Sequence, residues 1–331
     1  MPRGRTQRVL QVKAELAARA RSSFAQPGDA FFSARAVARR FQVSYATAHQ
    51  LIAELREEGL LERRQGSGTY VAGKRHPVRR AHLRFNARAQ RANSFGAFLL
   101  ARLRRALEQA AIDYELDFDT RGTVPDDAYP IVWETPSGVS PSDSLRYWTL
   151  LNDRPVPGLA ASFCDSIAVD DFSGGVAAGE ILRTHFDLKS PAILAGPRRD
   201  TRNQARIEGF QQVFPEAHVV YSNRWELTGA SPADRLRRLK ADGVFCANDR
   251  LAEGLHRYFD RLGRSALPVV GFDDAPVAAQ LSLTTIAIPW DEICAATVEN
   301  VARRLRGDTA AGRLVLLAPR PVFRNKEMRT S

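Results

Sequence analysis

Apolar positions in the first quarter of the chain recur at helical spacing. Val9, Val12, Leu16 and Ala20 fall three or four residues apart and predict an amphipathic helix over 5–24. Pro27-Gly28-Asp29 then breaks the pattern. Ser33 is placed to cap a short helix over 34–40 that turns Val37 and Ala38 inward. Ser44 is placed to cap the next, over about 45–58, in which Ala48, Leu51, Ile52 and Leu55 share one face. Gly59 ends it. Residues 60–64 and 69–72 read as two short strands joined by Gln65-Gly66-Ser67-Gly68, since glycine takes positive φ without strain.

Beyond residue 91 the period changes. Short apolar runs at 83–85, 114–118, 131–134, 192–195, 219–221, 244–247, 269–272 and 285–288 predict strands. Helical patterns at 95–111, 142–152, 173–186, 202–213, 232–241, 249–262 and 290–306 lie between or after them. Such βαβα alternation predicts an α/β fold whose parallel sheets are covered on both faces. The chain has 331 residues, enough for two or three compact units. No internal repeat or low-complexity tract interrupts the pattern.

Charge sharpens this division. Residues 1–91 hold 19 Lys/Arg against 6 Asp/Glu, whereas residues 92–331 hold 29 against 31, so the whole +11 excess sits on the first quarter. A compact basic module suits a polyanion, because each phosphate it neutralises releases counterions. The linker 74–91 carries seven Lys/Arg, including Arg79-Arg80. Cys164, Cys246 and Cys294 are far apart and match no disulfide framework or zinc spacing, so no metal or other cofactor is expected. The Arg-rich start has no apolar signal core, and no run approaches the ~18–20 apolar residues that span a bilayer; a cytoplasmic protein without membrane contact is expected.

Two helices separated by a turn and followed by a glycine-tipped hairpin make a winged helix, whose second helix enters the major groove while the wing meets phosphate or minor groove. Pro27-Gly28-Asp29, Ser33-x-Arg35, Val43-Ser44, Thr47, Leu55, Glu58-Gly59-Leu60-Leu61 and Arg63-Arg64-Gln65-Gly66-Ser67-Gly68-Thr69-Tyr70-Val71 resemble the winged helix-turn-helix of the GntR family over residues 5–73. Position assigns the chemistry. Ser44 and Thr47 begin the recognition helix and suit phosphate oxygens, and Tyr45, Ala46 and His49 can face base edges. Arg35 matches a family contact position, and Arg64, Gln65, Gly66, Ser67 and Gly68 form the wing. The family usually has Arg at the positions of Tyr45 and His49, so its operator preference does not carry over. Arg39 and Arg40 are either contacts or a solvated face.

Further motifs follow in order: Asn93-Ser94-Phe95, Val169-Asp170-Asp171, Leu194-Ala195-Gly196, Arg206-Ile207-Glu208-Gly209-Phe210, Cys246-Ala247-Asn248-Asp249, Val270-Gly271-Phe272-Asp273-Asp274 and Leu283-Thr284-Thr285. They resemble the effector domain of the LacI/GalR family, a relative of periplasmic sugar-binding proteins, closely over 167–306 and faintly over 83–165. The resemblance implies two Rossmann-like lobes, joined by crossing strands and closing on a small ligand. It places Arg206, Asn248 and Asp273 at ligand contacts, with Trp225 and Phe95 matching more loosely. Independently, Asn248 and Asp273 follow predicted strands, where parallel sheets bind ligands, and a carboxylate, an amide and a guanidinium together bond vicinal hydroxyls in both directions. Blander roles stay open: Asp273 or Asp249 as helix caps, Arg206 on a surface paired with Glu208 or Asp200, Trp225 as a wall, Asp170-Asp171 as caps. The stretch 157–165 is short and nearly uncharged where the family supplies polar residues, which leaves open an unusual ligand or a lobe that closes incompletely.

The expected organisation is a winged helix over 1–73, a basic linker over 74–91 leading into the first strand, and a two-lobed effector and dimerisation domain over 83–331. No nucleophile elbow, phosphate loop or metalloprotease motif indicates an enzyme. The resulting expectation is a homodimeric repressor of two-fold operator DNA, controlled by a small carbohydrate-like ligand. The competing expectation is a constitutive DNA-binding protein whose sensor-like domain only dimerises.

Overall fold

The helix-spaced apolar residues at the start of the chain pack on one another. In the computed structural model, which describes residues 7–21, 25, 28–64, 68–72, 78–91, 94–118, 124–125, 127–134, 147–153, 163–227, 231–263 and 267–324, they form one small core. Helices α1 (Gln7–Arg21), α2 (Ala34–Phe41) and α3 (Tyr45–Glu57) contribute Val12, Leu16, Val37, Ala48, Leu51 and Leu55 to it. Ser33 caps α2, its Oγ accepting from the Ala36 N–H at 3.2 Å, and Ser44 caps α3, accepting from Thr47 at 3.0 Å. Each hydroxyl satisfies a donor that the first helical turn leaves without a partner. Strands β1 (Leu61–Arg64) and β2 (Gly68–Val71) pair antiparallel from Leu61↔Val71 to Arg64↔Gly68. The segment before α2 adds a neighbour to β2 that periodicity did not reveal. Ala30 bridges Tyr70, and the Phe31 N–H donates to the Thr69 carbonyl at 2.7 Å.

Two compact units divide the chain: Met1–Ile167 with Ile293–Val315, and Ala168–Glu292 with Leu316–Ser331. In the first, β3 (Arg80–Phe85), β4 (Tyr114–Asp117), β5 (Ala128–Trp133), β6 (Trp148–Leu151) and β7 (Cys164–Val169) run parallel in the order β7-β6-β5-β3-β4. A short 3-10 turn, Ala87–Gln90, leads into α4 (Phe95–Gln109). Residues 148–151 correct an expectation. They form an interior strand with all four residues buried, where a helix over 142–152 was expected; residues 142–146 lie outside the described ones. A strand buried on both faces lacks the alternation that would mark it, and a short apolar run does not reveal its period.

The second unit holds a sheet ordered β14-β12-β11-β10-β8-β9. Strands β8 (Ala192–Ala195), β9 (Val219–Tyr221), β10 (Val244–Cys246), β11 (Val269–Asp273) and β12 (Thr284–Ala287) are parallel, and β14 (Arg320–Val322) is antiparallel at the edge. Helices α5 (Asp171–Thr184), α6 (Thr201–Val213), α7 (Ser231–Arg238), α8 (Asp249–Arg261) and α9 (Pro276–Gln280) connect and cover them. The chain passes between the units within β7, within α10 (Trp290–Leu305) and within β13 (Leu314–Leu317). Neither β13 nor β14 was expected: both are short edge strands, β14 without an apolar run and β13 with a run, Leu314–Leu317, that was not read as a strand. Beside these passages, in the first unit, buried Asp165 accepts from Arg304 Nε at 2.8 Å, from Arg303 Nη2 at 2.9 Å and from the Arg313 N–H at 3.0 Å. Burial pushes its carboxyl up, but the Arg304 guanidinium outweighs this and holds it below the ordinary range.

Helices α5 and α6 touch at two reciprocal glycines. A methyl group on Gly175 would lie 2.1 Å from the Arg206 carbonyl oxygen, and one on Gly209 would lie 2.0 Å from that of Phe172. Backbone therefore meets backbone, and no side chain larger than hydrogen fits. The prediction is that Gly209→Ala destabilises the protein despite alanine's ~1 kcal/mol advantage inside a helix, because overpacking costs about 1–3 kcal/mol and here the obstacle is backbone. Urea unfolding of this variant beside Glu208→Ala, an exposed neighbour, checks it; equal midpoints would refute the close-contact argument.

Candidate functional site

Four side chains of the second unit converge at the carboxyl ends of its parallel strands. Strand β8 lies between β9 and β10, so the chain order reverses beside it, the place where open parallel sheets accept ligands. Arg206, on α6, is only 4% exposed. Its Nε donates to Asp171 Oδ1 at 2.7 Å, and its Nη1 donates to the Ala247 carbonyl at 2.5 Å and to Asp273 Oδ1 at 3.3 Å. The guanidinium lies 3.6 Å over the Phe272 ring and 5.6 Å from that of Trp225. Among the described residues, no hydrogen bond engages Arg206 Nη2 or the second oxygen of Asp273. A donor and an acceptor are thus left side by side, beside the half-buried Trp225 ring.

Gly196 makes room for that ring, since a methyl group there would come within 2.7 Å of it. Asp273 is a strained residue. Its φ of 101° is rare for any side chain but glycine, and such conformations persist where the surroundings hold them. No helix cap explains it, because the N-cap of α9 is Ala275, without a side-chain cap bond. Asn248 departs more from expectation. It caps α8, accepting from the Leu251 N–H at 2.9 Å, and its amide donates to the Trp225 carbonyl at 3.0 Å. Its polar atoms already hold the Trp225 segment in place. Asp170 caps α5 as read, whereas Asp171 is not a cap but the buried partner of Arg206. The sequence signal for that pairing was the Gly174-Gly175 pair behind Asp171, matched by Gly209 behind Arg206. Phe95 belongs to the first unit, where it stacks on Trp133 with ring centroids 6.1 Å apart.

Burial favours protonation of three carboxyls of the second unit, Asp171, Asp249 and Asp273. Burial pushes Asp273 up to about 6 against the pull of Arg206, with Asp171 adding to the push. Asp249, fully buried, is pushed up to about 8, first by burial and then by the charge of Asp273. It accepts from Thr285 Oγ1 at 2.6 Å and from the Ala275 N–H at 2.7 Å. Gly271 is needed there, since a methyl group would lie 2.1 Å from Asp249 Oδ1. Among the described residues, no group of three or more His, Cys, Asp or Glu forms a metal site, and no helix is long and apolar enough to cross a membrane.

The basic head presents a second surface. Tyr45 is 55% exposed at the start of α3, and Ala46 and His49 are exposed beside it, with the Tyr45 and His49 rings 6.2 Å apart. Ser44 Oγ and Thr47 Oγ1 lie 2.8 Å apart in the capping turn. Arg35 is exposed on α2, whereas Arg40 lies 5.6 Å from the Phe32 ring. Arg64 is engaged twice, donating to Glu62 at 2.9 and 3.0 Å and lying 4.6 Å over the Tyr70 ring. Gly68 takes φ 122°, and Gln65, Gly66 and Ser67 lie outside the described residues.

Comparison with known proteins agrees with this division. Residues 8–71 match the model of bacterial regulatory proteins of the gntR family, and residues 188–325 match that of a periplasmic binding protein-like domain. The HTH-type transcriptional repressor PurR of Klebsiella pneumoniae is 27% identical over 180 residues, covering 50% of this chain and 52% of the repressor. The chain thus spans about half the length of that relative. An arabinose metabolism transcriptional repressor of Halalkalibacterium halodurans is 25% identical over 303 residues, covering 77% of this chain and 78% of the relative. A LacI family transcriptional regulator of Enterococcus faecium, solved with bound ribose, superposes with a TM-score of 0.59 at 21% identity, covering 75% of this chain and 100% of that one. The chain joins a GntR-type winged helix to a two-lobed periplasmic-binding-protein-like fold.

Asp273 and Asp249 take up protons at higher pH when folded than their ordinary value of 3.8. The folded chain therefore binds more protons, and stability falls as pH rises above 3.8, the loss levelling off near 6 for Asp273 and near 8 for Asp249. Asp249→Asn keeps both contacts of the protonated carboxyl. Its melting temperature is expected to exceed that of the parent at pH ~9 and to lose the part of the decline that lies between about pH 6 and 8. Parallel melting curves for the two proteins would refute the assignment.

Proposed function

We propose that this chain is a transcriptional repressor that binds two-fold operator DNA as a homodimer, with affinity set by a small neutral polyhydroxy ligand. In this reading residues 1–73 are the DNA-binding head, 74–91 a basic linker, and 83–331 the effector and dimerisation domain. It acts in the cytoplasm by binding alone, without catalysis. Ser44, Thr47, Arg35 and the wing around Arg64 and Gly68 hold the backbone of the duplex, and the exposed start of α3 meets base edges. Names of relatives support the same reading: two are repressors, one of them of arabinose metabolism, and a fold neighbour holds ribose.

The observation that carries the proposal is Arg206 fixed between Asp171 and Asp273. Because Asp171 takes Nε and the Ala247 carbonyl takes part of Nη1, the guanidinium cannot turn, and Nη2 stays aimed for a ligand oxygen. Asp273 supplies the neighbouring acceptor, so the pair matches adjacent hydroxyls, one accepting and one donating. Two carboxylates against one guanidinium disfavour an anionic ligand. The Trp225 ring offers a face for the apolar side of a sugar.

Operator titration by fluorescence anisotropy, with and without ribose, arabinose and other neutral pentoses and hexoses, tests the reading. One sugar is expected to change operator affinity at least about 10-fold, a shift of ~1.4 kcal/mol. Asp273→Asn is expected to keep sugar-free operator affinity while weakening the sugar response at least about 10-fold, since a hydrogen bond to a charged group contributes ~1.5–3 kcal/mol. Operator binding indifferent to every sugar would favour a sensor-like domain that only dimerises.

A further inference from the structure

The surface that enters the groove is chemically unlike the surface that grips the backbone. Helix α3 turns Ala48, Leu51, Ile52 and Leu55 inward, which leaves Tyr45, Ala46, His49 and Gln50 as one exposed patch over its first two turns. That helix carries no Lys or Arg before Arg56, in its last turn. The cations lie elsewhere, with Arg35 and Arg39 exposed on α2 and Arg63 and Arg64 on β1. The cationic grip on phosphate and the reading of bases are thus divided between different elements, with Ser44 and Thr47 adding neutral donors at the start of α3.

The division constrains which bases are read. Guanine presents two acceptors, N7 and O6, in the major groove, and is met best by a guanidinium or ammonium that supplies donors to both. Adenine presents an acceptor and a donor, N7 and N6–H, which a carboxamide matches with its own donor and acceptor. Thymine presents a methyl group, which suits an apolar surface. Gln50 is the only carboxamide in the patch, while the ring faces of Tyr45 and the adjacent His49 and the Ala46 methyl offer apolar surface; neutral His49 has one N–H donor and does not match both guanine acceptors.

We propose that α3 reads A·T base pairs, with Gln50 on adenine and the Tyr45–Ala46–His49 surface against thymine methyl groups. This rests on the reading of the first unit's head as a DNA binder. It adds the class of base recognised and Gln50 as a specificity-determining residue. Exposed side chains carry the specificity, so replacing them leaves the buried face of α3 intact.

Selection from random duplexes with the full chain, followed by anisotropy titration of the enriched duplex, tests it. Half-sites with A·T pairs under α3 are expected, and replacing them by G·C should weaken binding at least about 10-fold. Gln50→Ala should reduce that discrimination to less than about 3-fold, with the salt dependence of binding unchanged. Substituting deoxyuridine for thymine should weaken binding by about 3-fold per methyl group in contact. Circular dichroism melting of Gln50→Ala at the parent's temperature would show that the head is folded. Enrichment of G·C pairs at the discriminating positions, or full discrimination retained by Gln50→Ala, would overturn this inference and leave the regulator reading standing. Salt-dependent binding without enrichment of any sequence would instead overturn the regulator reading.

Discussion

The second unit depends on a contact between two backbones. Helices α5 and α6 approach until Gly175 meets the Arg206 carbonyl and Gly209 meets that of Phe172. Only at that separation can Arg206 reach Asp171 at 2.7 Å while its other nitrogen reaches Asp273 on β11. A buried ion pair of this kind stabilises little on its own, because desolvation of both charges cancels most of their attraction. Its value is directional. A guanidinium held at three points has few remaining conformations to lose when a ligand arrives, and preorganised groups bind with smaller entropic cost.

The same economy of freedom runs through the neighbouring residues. Asn248 spends its amide on the Trp225 carbonyl and its oxygen on the start of α8, so the indole is positioned by a residue that itself has no polar atom left over. Asp249 anchors the turn after β11, where Asp273 adopts its strained backbone, by accepting from the Ala275 N–H. The head is built on the opposite plan. Its reading patch is exposed, its cations sit on α2 and β1, and its core is a small set of aliphatic residues.

Much of this was legible in the residues. Helix starts were marked by Ser33, Ser44 and Asp170, because a capping hydroxyl or carboxylate is a local device. Arg206 and Asp273 were legible as a pair only through motif position; their contact spans 67 residues and depends on the sheet order. What escaped was whatever depends on partners distant in sequence. Trp148–Leu151 became a strand because β5 and β7 pair with both of its edges, which no local period records. Asp171 looked like a second cap beside Asp170, and only the approach of α6 gives it another task. Gln50 was passed over although the apolar face of α3 was legible, because motif position pointed to Tyr45, Ala46 and His49.

The central claim is that one chain couples a DNA-reading head to a receptor, and coupling is reciprocal. If a sugar changes operator affinity by some factor, operator must change sugar affinity by the same factor. Isothermal titration of the full chain with that sugar, in the absence and in the presence of saturating operator duplex, measures this directly. The account predicts that operator shifts the sugar's Kd by the factor found for operator binding, at least about 10-fold. An identical Kd with and without operator would contradict it.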